Sequence, residues 1–221
     1  MMYYSFMKKI IGLVGFIGSG KGTVADYLVE RYGYGKESFA NSVKDSISVV
    51  FGWNREMLEG DTVQSRAFRE QPDAFWSDKL GKPFSPRMAL QLMGTEAGRD
   101  VFHPDLWIFT ALRRMQENKN YVLADVRFPN EIQRIREAGG KIVWVRRGEL
   151  PEWYETAFRE NTTPWDEQYI LEDHEQLMAQ KYPDVHFSEW AWVGQELDGV
   201  ITNDGSLDDL YKQIDLLLES F

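Results

Sequence analysis

The residues best suited to chemistry form a run near the start of the chain, Gly15-Phe16-Ile17-Gly18-Ser19-Gly20-Lys21-Gly22-Thr23. Its glycines let successive backbone N–H groups curl around phosphate oxygens, and a helix beginning at the loop adds the partial positive charge of its N-terminus. Lys21 has the reach to bridge β- and γ-phosphates, which makes the run a candidate nucleoside triphosphate site. The strict form of such a loop has Ser or Thr directly after the Lys; here Gly22 intervenes before Thr23. Further polar residues close three later apolar runs. Asp125 and Arg127 follow Tyr121–Ala124, Arg146 and Arg147 follow Ile142–Val145, and Asn203-Asp204-Gly205 follow Gly199–Thr202. An Asp in that place suits Mg²⁺ beside a phosphate loop, and the cations suit phosphate. Each also has a plainer reading: Asp125 as a cap before the helix opened by Pro129, the arginines as solvated surface charge, and residues 203–206 as a turn and helix cap.

These residues need a scaffold that brings them to one edge. Ile10-Ile11-Gly12-Leu13-Val14 is continuously apolar, as a strand buried on both faces of a parallel sheet should be. Behind the loop, Val24 and Leu28 lie one helical turn apart. A short second strand is expected at Glu37–Ala40, with Asn41 and Ser42 capping the helix that carries Lys44, Ile47, Val50 and Phe51. Pro86 opens a helix that Gly94 interrupts or ends, another follows Pro104, Gly139-Gly140 closes the one begun at Pro129, and Ser206 caps the last. Strands alternating with helices predict an α/β fold, a parallel five-stranded sheet with helices on both faces. The C-terminal ends of its strands share one edge, where ligands bind.

The chain is expected to be a single domain over 1–221, with a core of about 7–40, 85–147 and 197–221. Residues 52–86 lack a strong period and read as short helices and loop over one mouth of the sheet. Residues 148–196 are rich in Trp, Glu, Asp and Gln, long for a connection between strands, and read as a lid. Gly148 can absorb its swing, and closure is expected when both substrate sites are filled.

The formal net charge of −10 argues against a protein that coats a nucleic-acid polymer or an anionic membrane, so phosphate-binding cations must be concentrated locally. With no cysteine, disulfides and thiolate chemistry are excluded; His103, His174 and His186 lack ligand spacing. No apolar run approaches a membrane span and the first six residues are too short and polar for a signal peptide, so a cytoplasmic enzyme is expected, with Met7 as an alternative start.

Taken together, the segments resemble the deoxynucleoside monophosphate kinases of tailed phages, within the P-loop nucleoside monophosphate kinases, where Gly between Lys and Thr is the usual form. The resemblance is carried by 19–26, by Arg87-Met88-Ala89-Leu90-Gln91-Leu92-Met93-Gly94-Thr95, by Trp107 and Asp125-Val126-Arg127, by His186-Phe187-Ser188-Glu189, and by 200–207. The stretches 52–83 and 148–185 match poorly. The resemblance implies transfer of the γ-phosphoryl of ATP to a 2′-deoxynucleoside 5′-monophosphate, in the host cytoplasm if phage-encoded, and it leaves a homodimer open. Gly18, Ser19, Gly20, Lys21, Gly22 and Thr23 would bind ATP with Asn203, Asp204 and Gly205 at its adenine, and Thr23 and Asp125 would hold Mg²⁺. Arg87, Gly94, Thr95 and Trp107 match the part that holds the acceptor, with Lys44, Arg66 and Arg69 as further cations from the insertion at 41–86. Core packing explains Trp107 and Leu90 equally well. Lys21, Arg87, Asp125 and Arg127 would be catalytic, and Arg146, Arg147, His186, Ser188 and Glu189 would belong to the lid.

Phosphoryl transfer fits such a set. The acceptor phosphate is already mostly dianionic at neutral pH, so catalysis is positioning, charge neutralisation and exclusion of water. Two other readings share the loop: a kinase of dephospho-coenzyme A or a phosphorylated alcohol, with Asp125 as an essential base, and a non-catalytic nucleotide-binding module. The converging cations speak against the second, since a pure binder needs no second phosphate pocket.

Overall fold

The computed structural model describes residues 9–117, 119–163 and 177–221. The expectations for Met7 and His174, and for the middle of the lid, lie outside them. The chain groups into two compact units, Met1–Lys36 with Glu117–Phe221, and Glu37–Gln116. Residues 85–116, expected with the core, group instead with 37–84.

The first unit is built on a parallel five-stranded sheet of order β2-β3-β1-β4-β5. Its strands are β1 (Ile10–Val14), β2 (Gly35–Glu37), β3 (Tyr121–Leu123), β4 (Lys141–Arg146) and β5 (Gly199–Thr202). All five residues of β1 are buried, the burial its unbroken apolar run requires. Ile11 and Leu13 pack with Val24, Ala25 and Leu28 of α1 (Lys21–Tyr32) and with Leu210 and Ile214 of the last helix, α11 (Leu207–Ser220). On the opposite face, Gly12 approaches Ile135 of α7 (Pro129–Glu137) and Ile142. Helices therefore cover both faces, as predicted. Register fixes what emerges at the functional edge: Gly12 pairs with Leu123, Val14 with Trp144, and Arg146 with Thr202. The phosphate loop, Asp125, Arg147 and Asn203 accordingly leave neighbouring strands at the same end of the sheet.

The second unit comprises α2 (Asn41–Phe51), α3 (Val63–Glu70), α4 (Ala74–Leu80), α5 (Pro86–Leu92), a π-helix (Met93–Phe102) and α6 (Leu106–Arg114). Ile47, Trp53, Leu58, Phe84 and Ala89 form its core. Two indole N–H groups are satisfied inside it, Trp53 by Asp73 at 2.9 Å and Trp76 by the Phe51 carbonyl at 2.9 Å.

Several boundaries differ from expectation. The second strand ends at Glu37, because Ser38 turns the chain: its carbonyl accepts from the Asn41 N–H at 3.1 Å. Asn41 does not cap α2; its amide donates to Glu37 at 2.8 Å. The α-helix opened by Pro86 is interrupted beside Gly94, as expected, but the chain does not leave the helix there: it widens into the π-helix. The 148–196 stretch contains α8 (Tyr154–Thr162), α9 (Leu177–Lys181) and α10 (Phe187–Trp190) among its described residues. Ser206 caps α11 and Pro86 opens α5 as read from the sequence, and Ser85 supplies the cap of α5.

Candidate active site

The phosphate loop joins β1 directly to α1. Gly15, Gly18 and Gly20 have φ of 146°, 79° and 100°, backbone states that side-chain-bearing residues rarely adopt. At Gly20 the restriction is also spatial, since a Cβ there would lie 2.2 Å from the side-chain amide nitrogen of Asn203. That nitrogen donates to the Ser19 carbonyl at 2.9 Å, so the turn after β5 holds the loop. The neighbouring Asp204 accepts from the Gly148 N–H at 2.6 Å, and Asn203 donates its backbone N–H to Arg146 at 2.7 Å. The turn Asn203-Asp204 thus grips both the phosphate loop and the point where the chain leaves β4. Beneath the loop, Phe16 sits among Trp153 and Trp192, each 5.2 Å away between ring centres, with Trp144 and Tyr154 just beyond. Ser19 is buried at 3% exposure, and its hydroxyl makes no hydrogen bond among the described residues.

Lys21 donates through Nζ to the carbonyls of Gly15 at 2.7 Å and Phe16 at 2.9 Å. Burial, followed by the positive charge of Arg127, brings its pKa down from 10.5 to about 8, against an opposing pull from Glu189. Three residues from distant parts of the sequence therefore act on one another electrostatically here. Arg127 Nη1 reaches Ser188 Oγ at 3.3 Å and Glu189 Oε1 at 3.4 Å. His186 caps α10, its Nδ1 accepting from the Ser188 N–H at 3.2 Å and lying 2.9 Å from Ser188 Oγ. Buried Glu131, in the first turn of α7, accepts from the backbone N–H groups of Arg127 at 2.8 Å and Phe128 at 3.1 Å. Arg146 lies over the Trp144 ring at 6.0 Å, and Arg147 is exposed.

The residues expected to hold the acceptor lie in the second unit. Lys44 pairs with Glu59 at 2.5 Å, and Arg69 Nη1 donates to the Glu59 carbonyl at 3.3 Å. Arg87 pairs with Glu70 at 2.7 Å, and Arg66 donates to the Asp61 carbonyl at 3.2 Å. Arg69 is pushed below the ordinary arginine range, first by burial and then by the Arg87 charge, and its buried Nε makes no hydrogen bond among the described residues. Burial pushes Glu59 up, but hydrogen bonds from Lys44 and Arg55 outweigh it and hold the carboxyl below its usual range. The structure places Lys44, Arg69 and Arg87 along one connected set and leaves Arg66 at its margin. Thr95 is exposed on the π-helix. Trp107 is only 7% exposed; its Nε1 donates to the Gly94 carbonyl at 2.9 Å and its ring fills the space beside Gly98. The indole thus ties α6 to the π-helix.

Sequence reasoning missed Arg55, Glu59, Asp45, Arg114 and Glu37, which form one ion-pair chain with Lys44. The four-residue spacing of Arg55 and Glu59 was a signal available in the sequence. Glu131 was also missed, although Pro129 two residues earlier marks the helix start that such a Glu serves.

Oxygen donors dominate what Thr23 and Asp125 offer, which suits a hard cation such as Mg²⁺ held largely by nucleotide phosphates. Among the described residues there is no group of three or more His, Cys, Asp or Glu that would bind a metal unaided.

No protein-family profile matches the chain. It is 33% identical over 152 residues, 62% of its own length and 74% of the relative's, to a protein of Acanthamoeba polyphaga mimivirus named as a deoxynucleotide monophosphate kinase. Against the deoxynucleoside-5′-monophosphate kinase of Escherichia phage T5 it is 27% identical, covering 59% of this chain and 73% of that one. Against the deoxynucleotide monophosphate kinase of Enterobacteria phage T4 it is 23% identical, covering 93% and 97%. A dephospho-CoA kinase from Campylobacter jejuni is a distant structural neighbour, with a TM-score of 0.42, 13% identity and 96% of both chains covered.

Proposed function

The chain belongs to the deoxynucleotide monophosphate kinases, and from that premise we propose how its residues divide between the two nucleotides and the metal. The enzyme transfers the γ-phosphoryl group of ATP to a 2′-deoxynucleoside 5′-monophosphate, giving the diphosphate and ADP. An oxygen of the acceptor phosphate forms the new bond to Pγ while the bond from Pγ to the β–γ bridging oxygen breaks and its electrons pass to ADP. Negative charge is redistributed rather than created, so cations in fixed places supply most of the rate.

In this reading the loop N–H groups of Gly18–Thr23 cradle the β- and γ-phosphates. Lys21 exchanges the Gly15 and Phe16 carbonyls for phosphate oxygens, and the rising negative charge around it returns its proton affinity toward the ordinary lysine range. Arg127 follows the transferring group. Thr23 and Asp125 would hold Mg²⁺, which would supply Lewis-acid charge neutralisation when bound. Asn203 and Asp204 act on the ATP site by fixing the loop and the exit from β4, and Gly205 lies beside the adenine. Lys44, Arg69 and Arg87 take the acceptor phosphate, with Glu59 and Glu70 holding those cations in place before the nucleotide arrives. Arg66, Gly94 and Thr95 flank that pocket, and Trp107 shapes it from within the unit. His186, Ser188, Glu189, Arg146 and Arg147 belong to the closing segment. Of the described residues, no helix is long and apolar enough to cross a membrane. A place in the cytoplasm is proposed from its substrates, since ATP and deoxynucleotides are held there.

The observation that carries this reading is the meeting of Lys21, Arg127 and Glu189, which no simple nucleotide store requires. Incubation with ATP labelled at the γ-phosphate, Mg²⁺ and a panel of acceptors tests it. Label should pass to deoxynucleoside monophosphates and not to dephospho-coenzyme A. Transfer to the latter alone, or ATP binding with no transfer to any acceptor, would overturn it.

A further inference from the structure

We infer that Ser188 and Glu189 are positioning residues for Arg127, and that the segment carrying them contributes to catalysis by aiming that guanidinium rather than by touching a nucleotide. The inference rests on the assignment of Arg127 to the transferring phosphoryl group. It goes beyond that assignment in giving the closing segment a specific task in the chemistry.

Arg127 stands just beyond β3, and its backbone is fixed from one side by Glu131. Its side chain is 47% exposed, and a guanidinium on a flexible stem in that setting has many rotamers to choose from. Among the described residues, the contacts that restrict Nη1 come from one short helix, α10, through Ser188 Oγ at 3.3 Å and Glu189 Oε1 at 3.4 Å. That helix is itself held at both ends. His186 caps its start through Nδ1, and the indole N–H of Trp192, just past its end, donates to the Glu189 carbonyl at 3.0 Å. Trp190 is buried, which anchors the helix to the unit.

The His186 contact also orients the serine. Nδ1 accepts from the Ser188 N–H at 3.2 Å and lies 2.9 Å from the Ser188 hydroxyl, which keeps the serine side chain against the ring and its oxygen within reach of Arg127. Glu189 is 23% exposed, so its charge is only partly screened where it faces the guanidinium. Both atoms that grip Arg127 are acceptors and neither is a cation. In these contacts both oxygens accept from Arg127, so they orient the guanidinium and supply no positive charge of their own to a phosphate.

A double-mutant cycle tests this with purified full-length enzyme, ATP, Mg²⁺ and a deoxynucleoside monophosphate acceptor. Arg127→Ala, Glu189→Gln and Ser188→Ala are each measured alone, followed by Arg127→Ala combined with each of the other two. Glu189→Gln and Ser188→Ala should each lower kcat about tenfold, the scale of one lost hydrogen bond to a charged group, with KM for both nucleotides within about twofold. Assayed well below pH 8, where Lys21 stays charged in every variant, they should add almost nothing in the Arg127→Ala background, because the group they position is gone. Ser188→Thr, which keeps the hydroxyl, should recover most of the activity. Effects that add fully in the double mutants would overturn the inference while leaving the role of Arg127 intact. So would KM rising with kcat unchanged, the mark of direct nucleotide contact. A normal kcat for Arg127→Ala would overturn both together.

Discussion

Asn203 and Gly20 leave no room for an atom between them: a Cβ on residue 20 would stand 2.2 Å from the Asn203 amide nitrogen. The amide uses that closeness to hold the Ser19 carbonyl, so one contact fixes both the identity of residue 20 and the shape of the phosphate loop. Gly20→Ala should therefore abolish ATP binding, through a clash and a φ of 100° that alanine disfavours. Asn203→Ala keeps the φ and removes only the tether. It should raise KM for ATP about tenfold with little change in KM for the acceptor, measurable by steady-state kinetics. A larger effect on the acceptor would place Asn203 elsewhere in the mechanism.

The second prediction follows from the depressed pKa of Lys21. Its value in the free enzyme is about 8, so the ammonium is lost as pH rises through that point. kcat/KM for ATP, which reports the free enzyme, should show a basic limb near pH 8. Removing the like charge with Arg127→Ala should move that limb up, and removing the favourable charge with Glu189→Gln should move it down. The same shift has a sign for folding. Between about 8 and 10.5 the unfolded chain holds the proton more tightly, so this group adds stability as pH rises across that window. A limb that stays in place in both variants would remove Lys21 from the explanation.

Arg87 and Glu70 give the third. They pair at 2.7 Å with both side chains about half exposed, so the pair adds little stability of its own. Arg87→Ala should leave the melting temperature nearly unchanged while raising KM for the monophosphate tenfold or more and KM for ATP hardly at all. Arg87→Lys should restore little, since one ammonium cannot replace a two-pronged donor.

The fourth concerns structure rather than turnover. A Cβ on Gly98 would come within 2.4 Å of the Trp107 ring and 2.6 Å of the Met93 carbonyl. Gly98→Ala should cost about 1–3 kcal/mol, read as a lowered denaturation midpoint, because backbone and a buried indole must both move. Trp107→Phe loses the hydrogen bond to Gly94 and should cost about 1–3 kcal/mol, with a raised KM for the acceptor as the π-helix loosens. An unchanged midpoint in both would mean that the indole is not holding the π-helix.

How much of this was legible beforehand depended on range. The parallel sheet, the loop at Gly15–Thr23, the helix start at Pro86 and the cap at Ser206 could be read because their determinants lie within a few residues of each other. The end of β2 at Glu37 was misplaced by a few positions, since Phe39 is buried without belonging to the strand. The partners of the site cations were not legible. Arg114 meets Glu37 at 2.8 Å across 77 positions of sequence, and Arg127 meets Glu189 across 62. A charged residue announces its own chemistry in a sequence but not which opposite charge will face it. The widening of α5 into a π-helix was invisible for a related reason: it depends on how Trp107 packs against Gly98, and local propensity carries no trace of that.

The rings beneath the phosphate loop also make the site optically self-reporting. Phe16 belongs to the loop, and its ring lies 5.2 Å from Trp192 and Trp153 and 6.3 Å from Trp144, while Trp144 and Trp192 are 5.4 Å apart. Excited indoles at such spacing exchange energy and respond to small changes in neighbouring polarity. Exchange of the Lys21 contacts to Gly15 and Phe16 for phosphate oxygens is expected to change the setting of Phe16 against those indoles. Occupancy of this end of the enzyme can then be followed by its native emission, without a dye or a label, in the same cuvette in which turnover is measured.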